Sequence, residues 1–286
     1  VRRITPLSPD ADPGLTSPGE RGNWKGPPPH DPMNVPSYNR DAWDRQVARG
    51  NRWTVPVSPD VISAARQGRW SVLLTPGKPV PRDWFGQIRG ARVLCLASGG
   101  GQQGPVLAAA GAAVAVLDNS PAQLAQDQFV AEREGLKLDL HLGEMTDLSR
   151  FGDGAFDLVF HPVANCYIPD VKPLWREAYR VLAPRGRLLA GFANPLVYIF
   201  DDNDAVRGEL RVRFKIPYAD PTSRSPDDLE RLIEAGETLQ FGHTLADQIG
   251  GQLEAGFSIT AFFEDVSDTV LDTFIPTQLA TLALKP

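Results

Sequence analysis

The sequence has few of the residues that build disulfide frameworks, metal centres or nucleic-acid interfaces. Its 286 residues include only two cysteines, Cys95 and Cys166, and four histidines. The cysteines lie far apart in apolar surroundings, with no metal-ligand spacing to each other or to a histidine. We therefore expect no metal site, and a reducing compartment. The net charge of −6 likewise provides no basic excess to attract nucleic acid or an anionic membrane.

Long hydrophobic runs are absent as well. No run of about 18 apolar residues occurs, and the early arginines Arg2 and Arg3 are followed by prolines and acids instead of an apolar segment. The sequence therefore predicts a cytoplasmic protein without a signal peptide or membrane span. Since 42% of the residues are hydrophobic, the chain can still bury a full core. These features favour a small-molecule partner over nucleic acid or a membrane, and they leave the oligomeric state open.

Three regions differ in composition along the chain. Residues 1–36 contain nine prolines and few large apolar groups, which predicts a flexible tail, with a docking peptide as the alternative. Residues 37–90 contain two helical patterns and form a helical lead-in. Its tryptophans Trp43 and Trp53 are expected to pack in the core rather than to stack on a substrate. Residues 91–286 form the main domain.

Apolar runs and helical patterns alternate in the main domain. A helical pattern at residues 120–134 opens with Ser120-Pro121 and stops before Gly135. Strands that alternate with helices predict an α/β fold with a doubly wound, mostly parallel sheet. Ligands bind at the carboxyl ends of such strands, so the informative residues should follow each strand. Five runs have the length and composition of strands: residues 92–97, 113–117, 138–142, 156–160 and 187–192.

A glycine-rich loop follows the first strand, and an acid ends the second. Gly99, Gly101 and Gly104 allow a sharp turn and a close approach of a ligand to the backbone. Asp118 can accept hydrogen bonds from both hydroxyls of a ribose. The pattern predicts a nucleoside site, although its GxGxxG spacing fits a nicotinamide or flavin enzyme as well as a methyltransferase.

Two further features favour a methyltransferase over a dinucleotide enzyme. Dinucleotide domains usually carry their glycine fingerprint near the domain start, whereas about 50 ordered-looking residues precede it here. The third strand is followed by Glu144 and Met145. This pair suits an adenine, because the carboxylate can bind the exocyclic amine while the methionine side chain lies against the ring.

Residues 93–194 resemble the core of the class I S-adenosylmethionine-dependent methyltransferases, a Rossmann-like family. Residues 93–101 read VLCLASGGG, which resembles the family's first motif, VLDLGCGTG. Cys95 stands where the family has an acid, and Ala97 stands where it has its first glycine, so we assign no role to Cys95. Residues 182–189 resemble the turn and fifth strand that complete the family's pattern.

The resemblance implies S-adenosyl-L-methionine as the cofactor and a small molecule as the methyl acceptor. It also implies that two closing strands, residues 257–263 and 276–284, form an antiparallel pair at the sheet edge, which makes seven strands in all. A nicotinamide-dependent oxidoreductase and a non-catalytic nucleoside-binding protein are the alternatives. The residues expected to hold the cofactor are Ala97, Ser98, Gly99, Gly101, Gln103, Asp118, Asn119, Glu144, Met145 and His161.

An insertion at residues 195–249 separates the fifth and sixth strands and can act as a cap over the substrate. Within it, residues 209–216 alternate in polarity, which predicts a strand with one apolar and one cationic face. The acidic run 201–204 could hold a cation, but a solvated turn is the preferred interpretation. A helix should begin at Thr244, which is followed by an acid three residues later.

Methyl transfer requires alignment of the reactants and exclusion of water, and it requires a general base only if the acceptor arrives protonated. His161, directly after the fourth strand, is the best-placed candidate base. Packing of the cofactor pocket is its alternative role. Asn165, Tyr167 and His243 are further candidates, which could contact the substrate or the methionine end of the cofactor.

Overall fold

The computed structural model describes residues 34–201, 204–205 and 207–286. Most of the predicted proline-rich tail therefore lies outside the described residues. Its last residues, Val35 and Pro36, belong to the first helix, α1 (Val35–Ala48), which Asn34 caps by accepting a hydrogen bond from the Ser37 N–H.

Strands and helices alternate through most of the described chain. The strands are β1 (Arg92–Leu96), β2 (Ala113–Asp118), β3 (Leu138–Leu142), β4 (Phe156–His161), β5 (Leu182–Ala193), β6 (Tyr218–Ala219), β7 (Phe241–Gly242), β8 (Ser258–Asp265) and β9 (Gln278–Leu284). The helices after α1 are α2 (Pro59–Arg66), α3 (Gln103–Ala109), α4 (Pro121–Glu134), α5 (Lys172–Val181), and short helices at Asp220–Ser223, Pro226–Glu234 and Gly251–Glu254.

Seven strands form one sheet in the order β3-β2-β1-β4-β5-β9-β8. The first five are parallel, and β9 runs antiparallel to both β5 and β8. This arrangement confirms the predicted doubly wound, mostly parallel seven-stranded sheet with N-terminal helices. Each of the seven strands begins and ends within a few residues of its predicted bounds. The largest difference is the start of β5, which lies at Leu182 instead of at residue 187.

Two apolar layers cover the two faces of the sheet. In β1, Val93 and Cys95 pack on the face covered by α2, α3 and α4. Leu94 and Leu96 point the opposite way, into the layer that contains Trp175 of α5. The alternation follows from the two-residue period of a strand, and burial on both faces explains why these strands are apolar throughout.

The residues predicted to cap the two ends of α4 are confirmed. The Ser120 side chain accepts a hydrogen bond from the N–H of Gln123, Pro121 occupies the first turn, and Gly135 ends the helix in the left-handed conformation at φ 64°. These caps satisfy N–H and C=O groups that the helix itself leaves free. They fix α4 against β2 and so position the loop between them.

The predicted strand at residues 209–216 is wrong. Among the described residues, this stretch shows an isolated bridge between Phe200 and Val212 and no strand. Its cations pair locally: Arg213 lies 2.8 Å from the buried carboxylate of Asp204, which Arg207 also contacts. Asp204 is therefore an ion-pair centre and not part of a solvated turn. The described residues contain no cluster of acidic, histidine or cysteine side chains suited to a metal ion.

The helix predicted to begin at Thr244 is present. Thr244 Oγ accepts a hydrogen bond from the N–H of Asp247 at 3.0 Å and donates to its carboxylate at 2.7 Å. A π-helical turn, Ala246–Gly250, leads into Gly251–Glu254. No helix in the part of the chain that the structure describes is both long and apolar enough to cross a bilayer.

Candidate functional site

One cavity lies at the carboxyl ends of β3, β2, β1 and β4, where the fold predicts ligand binding. It measures about 990 Å³, its open mouth included. Four strand-end loops form its floor, while α1 and the segment before β1 cover it. Its lining residues are Pro36, Asn39, Trp43, Trp53, Leu73, Leu74, Thr75, Pro76, Ala97, Ser98, Gly99, Gln102, Gln103, Asp118, Asn119, Gln123, Glu144, Met145, Pro162, Val163, Ala164, Tyr167 and Ile168.

Asp118 stands at the centre of the floor, at the end of β2. Its Oδ2 accepts a hydrogen bond from the Gly99 N–H, and its Oδ1 accepts one from the Ser120 N–H, both at 2.9 Å. A carboxylate oxygen can accept more than one hydrogen bond, so a ligand hydroxyl can bind to Asp118 as well. Burial raises the pKa of Asp118 above its ordinary value, although hydrogen bonds from the backbone N–H groups of Ser120, Gly99 and Asn119 oppose that shift.

The glycine loop is packed so closely that a side chain would not fit. A Cβ on Gly99 would lie 3.0 Å from Asp118 Oδ2, and one on Gly100 would lie 2.6 Å from the Trp53 carbonyl oxygen. Gly100 also has φ 111°, which L-residues rarely adopt. Ala97, where the resembled motif has glycine, is held at φ 50° and so stores local strain.

A second buried acid, Asp127, supports this loop from α4. Its Oδ2 accepts a hydrogen bond from the Gly100 N–H at 3.0 Å, while its Oδ1 has no partner in the described structure. Burial raises the pKa of Asp127 well above its ordinary value. The sequence did not predict this role for Asp127, because α4 offers no signal that one of its side chains reaches back to the loop after β1.

Glu144 and Met145 occupy the end of the cavity beside β3. The Met145 side chain is buried in the layer formed with α5. Burial raises the pKa of Glu144, as does the nearby charge of Asp118, and the Arg40 guanidinium opposes both effects. An acid and an apolar side chain therefore stand side by side here, as the adenine hypothesis requires.

Helix α1 forms part of the roof and is tied to the floor. The Asp44 carboxylate accepts hydrogen bonds from Ser120 Oγ at 2.5 Å and from the Ala122 N–H at 3.2 Å. Asn119 donates from its side chain to the Pro36 carbonyl oxygen at 2.8 Å. Trp43 and Trp53, expected in the core, line the cavity instead. The reason is that α1, which carries Trp43, and the turn Arg52–Thr54, which carries Trp53, lie at the strand ends instead of covering a sheet face.

The structure brings eight of the ten predicted cofactor residues to the cavity. Gly101 is not among them, since it faces the Gln126 carbonyl and Pro56. His161 is not among them either. Contacts between a cofactor and the other eight stay a prediction. These eight are Ala97, Ser98, Gly99, Gln103, Asp118, Asn119, Glu144 and Met145.

His161 lies beneath the floor and is fully buried. Its Nδ1–H donates to the Leu96 carbonyl oxygen at 2.9 Å, and its ring packs edge-on against Trp175. Burial lowers the pKa of His161 to about 4, so the ring is neutral at physiological pH. His161 was predicted as a candidate general base because it ends β4, but its side chain points toward α5 and away from the cavity.

Of the other three catalytic candidates, Tyr167 alone is found in the cavity lining. The Asn165 and Gln248 side-chain amides bond to each other, with Asn165 Nδ2 donating at 2.8 Å. His243 Nε2 donates to the Asn165 carbonyl oxygen at 3.0 Å, and burial lowers the pKa of His243. Asn165 and His243 therefore join the loop after β4 to the insertion. Tyr167 packs edge-on against Trp43, with ring centroids 5.3 Å apart.

Two polar atoms in the cavity wall have no partner in the described structure, Ser98 Oγ and Gln123 Oε1. Buried polar groups are normally hydrogen-bonded, so their lack of a partner indicates that the wall is built for a polar ligand. Together with the lone pairs of Asp118, they give the floor donors and acceptors suited to an adenosyl cofactor. The residues present therefore fit S-adenosyl-L-methionine.

Comparison with known proteins gives the family. A methyltransferase-domain model matches residues 94–190. The chain is 53% identical over 249 residues to the uncharacterized methyltransferase YbaJ of Bacillus subtilis (strain 168), covering 87% of this chain and 98% of that protein.

Solved structures show the same fold at low sequence identity. An S-adenosylmethionine-dependent methyltransferase from Mesorhizobium loti has a TM-score of 0.53 at 20% identity, covering 71% of this chain and 94% of that one. The 1,6-didemethyltoxoflavin-N1-methyltransferase of Burkholderia thailandensis has a TM-score of 0.53 at 14% identity, covering 91% and 93% of the two chains. The chain thus belongs to the class I S-adenosylmethionine-dependent methyltransferases, enzymes whose cofactor is S-adenosyl-L-methionine.

Proposed function

We propose that this methyltransferase acts on a small molecule bound beside the loop after β4, with its cofactor held over β1, β2 and β3. The observation that carries the proposal is the continuity of one cavity from Glu144, past Asp118 and Gly99, to Val163. These four residues follow β3, β2, β1 and β4, which are neighbours in the sheet. A cofactor and an acceptor can therefore share the cavity.

Each part of the cofactor has a matching group in the cavity. Asp118 accepts hydrogen bonds from the ribose hydroxyls, since a carboxylate oxygen can accept more than one. Glu144 binds the exocyclic amine of the adenine, and Met145 lies against the ring. Ser98 and Gln103, beside the glycine loop, bind the methionine end.

When bound, the cofactor supplies a methyl carbon that its sulfonium leaving group activates. The chain itself has to align the acceptor with that carbon and exclude water. Helix α1 and the segment 73–76, which lie over the strand ends, provide the exclusion. No covalent nucleophile on the protein is required.

Calorimetric titration of the purified chain with S-adenosylmethionine, S-adenosylhomocysteine, NAD and NADP tests the cofactor site. We expect the two adenosyl ligands to bind and the two dinucleotides to fail. Binding of a dinucleotide alone would revive the oxidoreductase alternative, and binding without turnover on any metabolite pool would favour a non-catalytic protein.

Asp118→Ala tests the proposed ribose contact directly. Loss of two charge-assisted hydrogen bonds should weaken the binding of S-adenosylhomocysteine by about tenfold or more in the same titration. Asp139→Ala is the matched control, because Asp139 lies on neighbouring β3 with an exposed side chain. An unchanged affinity in Asp118→Ala would mean that the ribose is held elsewhere.

A further inference from the structure

The cavity has two chemically different ends. Its two carboxylates, Asp118 and Glu144, belong to the loops after β2 and β3. The end beside β4 is walled mainly by apolar and aromatic side chains, and we call six of its residues the β4 wall. They are Leu73, Leu74, Pro76, Pro162, Val163 and Tyr167.

Hydrogen bonds fix the β4 wall in place. The Val163 N–H donates to the Leu74 carbonyl oxygen at 3.0 Å, which joins the segment before β1 to the loop after β4. Buried Asp265 accepts hydrogen bonds from Thr75 Oγ at 2.6 Å and from the N–H groups of Gly77 and Lys78. The wall is therefore a built surface with little freedom to present a different set of groups.

No positively charged side chain occurs among the described residues that line the cavity. A phosphate or carboxylate on the acceptor would lose its hydration beside the β4 wall without gaining a cationic side chain as a partner. It would also be repelled by the carboxylates of Asp118 and Glu144 across the cavity. The side-chain charges of the lining therefore favour a neutral acceptor over an anionic one.

The proposed function assigns the two carboxylates of the described lining, Asp118 and Glu144, to the cofactor, which leaves little there to remove a proton from the acceptor. His161 and His243 both donate to backbone carbonyl oxygens outside the cavity. Asp265 is occupied by the three donors that hold the β4 wall. An acceptor that must first be deprotonated by a carboxylate or imidazole is thus a poor match.

An uncharged acceptor atom with a free lone pair suits the charges of this site. When it attacks, a bond forms to the methyl carbon, the sulfur–methyl bond breaks, and its electron pair stays on sulfur. The positive charge passes from sulfur to the acceptor, so the total charge in the cavity does not change. Trp43 and Tyr167, which pack against each other, offer aromatic surfaces that stabilise a cation.

We propose that the acceptor is an uncharged, largely apolar molecule whose attacking atom already carries a free lone pair at neutral pH, such as a heteroaromatic ring nitrogen. This inference rests on the proposed function, since it takes the β4 wall as the acceptor site.

The test compares probes of matched shape on the full chain loaded with S-adenosylhomocysteine. Isoquinoline is neutral, isoquinoline-3-carboxylate adds a negative charge, and 2-naphthol replaces the ring nitrogen by a proton-bearing hydroxyl. Quenching of tryptophan fluorescence reports binding, because Trp43 and Trp53 line the cavity. Isoquinoline should bind about tenfold or more tightly than its carboxylate. With S-adenosylmethionine, isoquinoline and not 2-naphthol should give a methylated product by mass spectrometry.

A substitution in the β4 wall should reverse the charge preference. Val163→Lys places a cation on the half-buried wall and should raise the affinity for isoquinoline-3-carboxylate by about tenfold. Val163→Met, which adds length without charge, is the control and should not raise it.

Equal or tighter binding of the carboxylate to the unaltered chain, binding of neither isoquinoline probe, or methylation of 2-naphthol alone would overturn the inference. If these results occur while S-adenosylhomocysteine binds and Asp118→Ala weakens it, the inference fails and the proposed function stands. If the adenosyl ligand itself does not bind, the proposed function fails.

Discussion

Asp127 shows, at the scale of single residues, how a carboxylate from another element can support the glycine loop. The resembled motif has an acid in β1 where this chain has Cys95, a fully buried thiol whose pKa is raised by burial. Asp127 enters from α4 and accepts the Gly100 N–H. The loop is therefore held by a carboxylate even though β1 lacks one.

Two substitutions of Asp127 should separate the effect of its hydrogen bond from the effect of its charge. Asp127→Asn keeps an oxygen for the Gly100 N–H and removes the cost of a buried charge, so we expect cofactor affinity within about threefold of the unaltered chain. Asp127→Ala leaves a buried N–H without a partner and should weaken binding by about tenfold. Calorimetry with S-adenosylhomocysteine measures both. Equal losses in the two variants would mean that the charge, and not the hydrogen bond, is what the loop requires.

Residues at strand ends were predictable from the sequence, but the directions of their side chains were only partly so. Asp118 and Glu144 line the cavity because the loops after parallel strands meet at one edge. His161 also ends a strand, yet it shares a face with Val159 in β4 and so points toward α5. The two-residue period of the strand decides this, and it could have been applied to the sequence.

At the scale of elements, α1 is fastened to the insertion by long-range contacts. Asn39 donates to the carbonyl oxygens of Tyr167 and Leu239 and accepts from the Leu239 N–H at 2.8 Å. Tyr38 donates to the Glu237 carbonyl oxygen at 2.7 Å, and Arg49 donates to that of Ala235 at 2.9 Å. The partners lie up to 200 residues apart in sequence, so no local sequence pattern predicts these contacts of α1.

Asn39→Leu should weaken the attachment of α1 to the insertion. The change leaves three buried backbone groups without their partner, which should lower the free energy of unfolding by about 2–3 kcal/mol. Urea unfolding measures that loss, and limited proteolysis should show earlier cleavage in α1 or the insertion. Asp41→Ala, an exposed position on the same helix, is the control and should behave like the unaltered chain. Equal stability of the Asn39 variant would show that packing alone holds α1.

In the insertion, the alternating polarity of the sequence led to a wrong strand prediction. Residues 209–216 alternate like a strand, but Arg213 turns to Asp204 and Arg211 to Glu209, while the nearby β6 pairs with β7. Alternation predicts a strand only when another strand is available to pair with it. In the main sheet, by contrast, apolar runs, caps and glycines agree with one another, and the elements were found within a few residues.

At the scale of the whole molecule, acid should destabilise the fold in part through His161. Its folded pKa is about 4, against an ordinary value of 6.5. The unfolded chain therefore takes up a proton that the folded chain refuses, and the stability contributed by the neutral ring is lost as pH falls below about 6.5. Between pH 7 and pH 5 the loss should reach about 2 kcal/mol.

Urea unfolding of the unaltered chain and of His161→Phe at pH 7 and pH 5 measures this contribution. The variant should lose less stability on acidification, whatever its stability at pH 7. Asp127, whose pKa is raised, acts in the opposite sense in both proteins and cancels from the comparison. The same pH dependence in both proteins would mean that His161 is not the group that resists protonation.

The proposed function depends on an adenosyl ligand lying across three neighbouring strand ends. Soaking crystals with S-adenosylhomocysteine and calculating difference density tests this most directly. We expect density for a purine between Glu144 and Met145, for a ribose on Asp118, and for the methionine-derived tail along the loop at Gly99. Density for the ligand in a different cavity, with these four positions bare, would contradict it.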